Sequence, residues 1–173
     1  PGANPKDVEF FQRAQQELHL NTSTLVAFGS TRRPRGRSDD DATLRNLLGA
    51  NTPAVCIVAK SSEYQVVEAL QTTLDEGVAM IADSVEFLQG EGRQVLVDLE
   101  HFFDGYRANP AYALEVCRAA LDAGARWIVL CDTNGGTLPN EIPPIIEAVN
   151  NHLESKGYNV PLGIHAHNDS ETA

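Results

Sequence analysis

The chain has 173 residues, of which 42% are hydrophobic and 21% are charged, as is typical of a globular domain with a sizeable core. Its formal net charge of −11 argues against nucleic acid and anionic membranes as partners. No run approaches the roughly 18 apolar residues of a membrane span, and the first residues lack a signal-peptide pattern, so we expect a cytoplasmic protein.

The three cysteines, Cys56, Cys117 and Cys131, are odd in number and lie in apolar segments. This pattern predicts reduced, buried thiols rather than a disulfide framework. No Cys-x-x-Cys spacing occurs, so we do not expect a zinc–thiolate site.

The first third of the chain contains one predicted helix, one predicted strand and a charged loop. Asn4-Pro5 has the residue types of a helix start, and residues 24–30 form a β-rich run that ends in small residues. Four arginines follow, from Arg32 to Arg37, with a proline and a glycine among them. Three aspartates, Asp39–Asp41, come shortly after. We expect a mobile, solvated loop here; phosphate binding by the arginines is the less favoured alternative.

The middle of the chain alternates buried strands with helices. Asp41 is a predicted N-cap for a helix that ends at Gly49, and residues 54–59 are a continuous apolar run, typical of a strand buried on both faces. A helical pattern then extends to about residue 89, with a capping box at residues 73–76 that predicts a break.

Three further strands are predicted at residues 94–100, 127–131 and 160–164. The helices between them are expected to begin at Asn109-Pro110 and end at Gly124, and to begin at Thr137 and end at Gly157. Strand and helix therefore alternate along the whole chain, which predicts a parallel sheet with right-handed crossovers.

Polar residues cluster where these strands end. They are Lys60 and Ser62, then Glu100, then Asp132, Thr133 and Asn134, and finally His165 and His167. Because side chains alternate along a strand, the two histidines should point the same way, with Cα atoms roughly 6.5–7 Å apart. Two such imidazoles can bind one divalent metal ion. The alternative interpretation is two solvated histidines.

Two α/β architectures fit this order of elements, an open doubly wound sheet and part of a (β/α)₈ TIM barrel. No Gly-x-Gly-x-x-Gly follows the first strand, which disfavours a dinucleotide-binding fold. Polar clusters at successive strand ends favour the barrel, whose active site lies there. A complete barrel takes roughly 250 residues. We therefore predict that residues 1–173 form a single partial barrel of about five parallel strands.

Four segments carry a family resemblance: Ala27–Arg33, Glu100–Tyr106, Leu130–Leu138 and Gly163–Asp169. In these segments the chain resembles the 2-isopropylmalate/homocitrate synthase superfamily of metal-dependent barrels and, within it, the citramalate synthase branch. The resemblance implies an acyltransferase that condenses acetyl-CoA with pyruvate or a related 2-oxo acid, in the biosynthesis of isoleucine or leucine.

The resemblance also implies roles for individual residues. His165 and His167 hold a divalent ion (Mg²⁺, Mn²⁺ or Zn²⁺), and Glu100 is the acidic catalytic residue of the fifth barrel strand. Thr133 contacts the carboxylate of the 2-oxo acid, and weaker assignments place Asp132 and Asn134 beside it. Lys60 and Ser62 are expected near the acyl-CoA.

The departures from the family pattern also carry predictions. The family's first strand bears an aspartate ligand and an arginine in an Asp-x-Thr-Leu-Arg-Asp-Gly motif, which this sequence lacks. The match corresponds to the third to seventh barrel strands, so we expect a fragment that is inactive alone and self-associates through its open edges. The alternatives are another lyase or carboxyltransferase of the superfamily, a non-catalytic metal-binding barrel remnant, and a phosphate site at Asn134–Gly136.

Overall fold

The computed structural model describes residues 1–2, 4–169 and 171. Its centre is a single sheet of five parallel strands. The strands are β1 (Val26–Ser30), β2 (Ala54–Lys60), β3 (Gln94–Glu100), β4 (Trp127–Asp132) and β5 (Leu162–Ala166).

Six α-helices accompany the sheet in the described part of the chain. They are α1 (Pro5–Glu17), α2 (Ala42–Gly49), α3 (Leu74–Gly90), α4 (Phe102–Ala108), α5 (Pro110–Asp122) and α6 (Ile142–Ser155). A short 3₁₀ turn at Ser38–Asp40 and a π-helical turn at Gln65–Ala69 complete the helical segments.

The strand order decides between the two architectures that the sequence left open. The strands lie side by side in chain order, β1-β2-β3-β4-β5, without the reversal that defines a doubly wound sheet. Right-handed crossovers without a reversal place all helices on one face of the sheet, as in a barrel. The α/β partial-barrel prediction is therefore confirmed.

The two faces of the sheet have different chemistry. Val97, Leu99 and Ile128 are fully buried and belong to one hydrophobic core with side chains of the helices. The residues that alternate with them, such as Asp98 and Glu100, face the other way, toward the inside of the barrel. The inner face therefore carries the polar groups, and the core lies between sheet and helices.

Most predicted helix boundaries are confirmed. Asn4, Asp41, Thr73 and Asn109 each cap a helix with a side-chain oxygen, because each has a residue type that favours the N-cap position. Sequence reasoning missed α4, which comes directly after β3 and buries Phe102 and Phe103.

The predicted start of the last helix at Thr137 is wrong, since α6 begins at Ile142. The backbone N–H of Thr137 donates to the Asp132 carboxylate (3.0 Å), and that of Leu138 donates to Glu141 (3.0 Å). These bonds close a loop instead of starting a helix. The alternative of a phosphate site at Asn134–Gly136 loses its helix N-terminus for the same reason.

The prediction of a solvated arginine loop is wrong for Arg32, which is 4% exposed. Its guanidinium donates to Glu76 (2.7 Å) and Asp83 (2.7 Å) on α3, and its backbone N–H donates to Ser84 Oγ (2.9 Å). Arg37 does lie in solvent. Helix α3 supplies these carboxylates from positions 44 and 51 residues further along the chain, which local sequence cannot reveal.

No helix in the described parts of the chain is long and apolar enough to cross a membrane.

Candidate functional site

His165 and His167 lie at the carboxyl end of β5, on the inner side of the sheet. Their ring centroids are 5.2 Å apart and their planes are tilted by 36°. The alternation of strand side chains explains the shared direction, and the backbone N–H of His167 donates to the Asp132 carbonyl (3.2 Å), which holds the end of the strand against β4. The geometry brings two imidazoles together, as the sequence predicts.

Asp98 of β3 is the carboxylate nearest to these histidines among the contacts of the described residues. Its Oδ2 lies 3.5 Å from His165 Nδ1, and its Oδ1 accepts a hydrogen bond from the Cys56 thiol (3.3 Å). The Asp98 side chain is 14% exposed. This distance places the Asp98 carboxylate beside the His165 imidazole on the inner face of the sheet.

Glu100 and Lys60 form an ion pair on the inner face of the sheet. Glu100 lies two residues after Asp98 on β3, and Lys60 is the last residue of β2. The register pairs these two residues directly across the strands. The pair is partly exposed toward the barrel interior. The structure thus brings two predicted site residues together, because the Lys60 ammonium group contacts the Glu100 carboxylate.

Thr133 follows β4 and accepts a hydrogen bond from the backbone N–H of His101 (2.8 Å). His101 has a positive φ of 58°, which turns the chain sharply from β3 into α4. The hydroxyl of Thr133 therefore supports this turn and still has a proton to donate.

These groups surround one cavity of about 180 Å³ at the carboxyl ends of the strands. It is lined by Phe28, Val58, Asp98, Glu100, Cys131, Thr133, His165 and His167. Residues from all five strands or the loops after them contribute, because parallel strands present their carboxyl ends at the same edge.

The remaining predicted site residues do not line this cavity. Asn134 donates its amide to Asp104 (2.6 Å), and Ser62 is buried where Gly105 of α4 passes. Asp132 is 2% exposed and accepts the Thr137 N–H, while its Oδ1 has no hydrogen-bond partner among the residues that the structure describes. Their predicted substrate contacts stay predictions.

Sequence reasoning missed Asp98 and Cys131 as site residues. The signal was present, because Asp98 is two residues before Glu100 and Cys131 two before Thr133, in each case on the same side of the strand. The sequence prediction considered only residues at the strand ends and omitted the inner-facing residues two positions earlier.

All three cysteines are free, as predicted. Burial, helped by the charges of Asp98 and Glu100, raises the pKa of Cys131 to about 12. Burial also raises the pKa of the Cys56 and Cys117 thiols. Without a bound cation these thiols are neutral and poorly nucleophilic.

Comparison with known proteins identifies the family. The HMGL-like family matches residues 1–173, the whole chain. The chain belongs to the HMGL-like family. This agrees with the resemblance that the sequence motifs carry. It also agrees with the cluster of Asp98, Cys131 and His165, whose ligand atoms are close enough together to hold a metal ion.

Among curated relatives, this HMGL-like chain is similar to (R)-citramalate synthases. It is 52% identical to that of Aquifex aeolicus and 51% identical to that of Streptomyces coelicolor, in each case over 100% of this chain and 32% of the relative. A 2-isopropylmalate synthase from Geobacillus is 29% identical over 91% of the chain and 30% of the relative. The chain thus spans about a third of the length of the relatives it matches.

Solved structures establish the same fold. The HMGL-like chain superposes on a Bacillus subtilis HMG-CoA lyase with a TM-score of 0.71, at 16% identity, over 94% of this chain and 51% of that one. A Brucella melitensis HMG-CoA lyase gives a TM-score of 0.71 at 15% identity, over 98% and 58%. The partial sheet therefore has the barrel fold of these enzymes.

Proposed function

We propose that the chain is the third-to-seventh-strand portion of a citramalate synthase barrel, which joins acetyl-CoA to pyruvate in branched-chain amino-acid biosynthesis. The observation that supports this most strongly is the 52% identity to an (R)-citramalate synthase across the whole chain. The free thiols support a cytoplasmic location.

The donor atoms at the site fit a divalent metal ion. Two imidazoles converge, and a carboxylate lies 3.5 Å from one of them, which suits Mn²⁺ or Zn²⁺ and, with more oxygen donors, Mg²⁺. His165 and His167 would hold the ion. When bound, such an ion supplies Lewis-acid polarisation of the ketone, worth several kcal/mol of charge stabilisation.

The chain's own residues bind and orient the two substrates around this point. The Thr133 hydroxyl is placed to donate to the carboxylate of the 2-oxo acid, while its oxygen stays held by His101. Glu100 lies in the same cavity, paired with Lys60, so it can hold or move a proton at the substrate.

The carbon–carbon bond forms between the methyl carbon of acetyl-CoA and the ketone carbon of pyruvate. A base removes a methyl proton, the resulting enolate attacks the ketone, and water then cleaves the thioester to give citramalate and free CoA. Phe28 and Val58 line the cavity wall, which suits the small methyl group of pyruvate.

A segment exchange tests this proposal. Residues 1–173 replace the matching segment of the Aquifex aeolicus (R)-citramalate synthase, and citramalate formation from acetyl-CoA and pyruvate is followed by CoA release and by chromatography of the product. We expect activity within about tenfold of the parent enzyme, because the exchanged segment is 52% identical over its whole length.

The matched controls are the same hybrid with His165→Ala and His167→Ala, and the 173-residue chain alone. Neither should release CoA above background, since the first lacks the imidazoles and the second lacks the first-strand carboxylate. A folded hybrid that cleaves a 3-hydroxyacyl-CoA but makes no citramalate would favour the lyase alternative. A folded hybrid without either activity would favour the non-catalytic remnant.

A further inference from the structure

Three side chains with different metal-binding atoms meet on the inner face: Asp98 of β3, Cys131 of β4 and His165 of β5. One ligand atom from each lies within 4.8 Å of the other two. Carboxylate, thiol and imidazole in one place are the ligand types that proteins use for zinc and related ions. We call these three residues the thiol cluster.

We propose that the thiol cluster is a binding site for a borderline-soft divalent ion of the Zn²⁺ class, with Cys131 as a thiolate ligand. This site differs in its donor atoms from the histidine pair of the proposed reaction, although it shares His165. It also departs from the sequence prediction, which did not expect a zinc–thiolate site, because the thiol reaches the metal ligands across strands and not through a Cys-x-x-Cys motif.

The strand register brings the thiol cluster together. Cys131 pairs directly with His165, and Asp98 pairs with Val129, two residues before Cys131 on the same side of β4. The three side chains therefore project from adjacent strands toward one point. Because the sheet backbone fixes their origins, the site needs little rearrangement to bind an ion.

The spacing is close to that of a tetrahedral ion. Ligand atoms bonded at 2.0–2.3 Å with tetrahedral angles lie roughly 3.3–3.8 Å apart. The Asp98–His165 separation of 3.5 Å is already in that range. No two ligand atoms of the cluster are more than 4.8 Å apart, so any separation has to close by at most roughly 1 Å, which small side-chain rotations supply.

The surroundings favour an ion that is buried on one side and open on the other. Cys131 is 5% exposed and Asp98 14%, whereas His165 is 55% exposed toward the cavity. The exposed side leaves a fourth position for water or for His167, whose ring is 5.2 Å from that of His165. Three protein ligands and an open position are typical of reactive zinc sites.

When the ion binds, the S–H bond of Cys131 is replaced by a metal–sulfur bond. The Cys131 thiol gives its proton to solvent, the sulfur binds the ion as thiolate, and the charges of the thiolate and Asp98 balance the two charges of the ion. Hard Mg²⁺ gains little from a sulfur ligand, so the thiol cluster should select Zn²⁺, Co²⁺ or Cd²⁺ over Mg²⁺.

Cobalt titration tests the proposal, because a thiolate bound to Co²⁺ gives a near-ultraviolet charge-transfer band that imidazole and carboxylate do not. We expect the band at one Co²⁺ per chain, removed by equimolar Zn²⁺ and unaffected by Mg²⁺. Cys131→Ser should abolish the band, and Asp98→Asn should weaken Co²⁺ binding by about 10- to 100-fold.

The other two cysteines provide matched controls. Cys117→Ser, buried in α5 away from the cluster, and Cys56→Ser, next to Asp98, should both keep the band. A band that survives Cys131→Ser, or that disappears with Cys56→Ser alone, would overturn the assignment. Co²⁺ bound without a charge-transfer band would overturn the thiolate proposal altogether.

Cadmium NMR of the unsubstituted chain keeps the test decisive if Cys131→Ser does not fold. We expect one Cd²⁺ resonance displaced toward the range of sulfur-bound ions; a resonance in the range of nitrogen and oxygen ligands alone contradicts the proposal. None of these readouts requires catalysis, so they test metal binding by the thiol cluster independently of citramalate synthesis.

Discussion

Single side chains at this site have two tasks, since they shape the backbone and also face the cavity. Thr133 is the clearest case: its oxygen accepts the His101 N–H at 2.8 Å while its side chain lines the cavity. His101 stands at a positive φ, a conformation that side chains rarely adopt, so the hydrogen bond stabilises a turn that is otherwise unfavourable.

Replacing Thr133 separates these two tasks. Thr133→Val keeps the shape but leaves the His101 N–H without its partner, so we expect the free energy of unfolding to fall by about 1 kcal/mol. Thr133→Ser keeps the hydroxyl and should be nearly neutral. Urea denaturation of the chain measures both.

The same variants in the hybrid enzyme report on substrate binding. If the hydroxyl also donates to the 2-oxo acid, Thr133→Val raises the KM for pyruvate and Thr133→Ser does not. A KM that is unchanged in both variants would limit Thr133 to its structural task.

Residue chemistry was predictable from the sequence where it depends on local spacing. The shared direction of His165 and His167 follows from strand alternation alone. The contact of Asp98 with His165 does not, because it depends on the register of β3, β4 and β5, which no local pattern specifies. The same is true of Cys131.

At the scale of elements, Arg32 connects the loop after β1 to helix α3. Its guanidinium lies between Glu76 and Asp83, and the adjacent Asp41 caps α2 while accepting the backbone N–H of Arg33 (3.0 Å). The hydrogen bond from Arg32, followed by that from the Arg35 backbone N–H, lowers the pKa of Glu76 below its ordinary value of 4.5. The charged loop is thus anchored to two helices.

Removing the Arg32 guanidinium should therefore destabilise the chain in a pH-dependent way. We expect Arg32→Met to lower the free energy of unfolding by about 1–3 kcal/mol at neutral pH, since it removes the ion pairs of Glu76 and Asp83 and leaves Glu76 with only the Arg35 backbone N–H. Arg37→Met is the matched control: that side chain is 81% exposed, so its effect should stay below about 0.5 kcal/mol.

The pH dependence follows from the lowered pKa of Glu76. Its stabilising contribution is complete above pH 4.5 and is lost as the pH falls through the lower folded-state pKa. The difference in free energy of unfolding between the original chain and Arg32→Met should therefore shrink on acidification. A difference that grows in acid would contradict the assigned pairing.

Elements were predictable where capping residues mark them. Four helix starts in the structure are predicted from their N-cap residues, which are Asn4, Asp41, Thr73 and Asn109. α4 lacks such a signal because His101, at its N-cap position, makes no side-chain capping bond and the helix is stabilised by burying Phe102 and Phe103. Burial against distant elements cannot be deduced from the local sequence.

The whole molecule is a barrel wall with two free edges. β1 and β5 end the described sheet, so each presents backbone groups on its outer side without a neighbouring strand in the described residues. Apolar side chains are exposed on or near these edges, among them Phe28 on the inner face of β1 and Ile164 on the outer face of β5. Exposed edges with apolar side chains favour pairing between chains.

We therefore predict that the 173-residue chain self-associates, and that the edge at β5 contributes. Light scattering over a range of concentrations should give a mass that rises above that of the monomer, 18.8 kDa. Ile164→Lys places a charge on the β5 edge and should shift the mass toward the monomer, because an inserted lysine disfavours strand pairing.

Leu138→Lys is the matched control, since Leu138 is exposed to the same degree as Ile164, 51%, but lies in the loop between β4 and α6. If association depends on the β5 edge, only Ile164→Lys reduces it. If both variants reduce it equally, general surface hydrophobicity is the cause. A monodisperse monomer at high concentration would contradict the prediction and mean that the free edges are protected within a single chain.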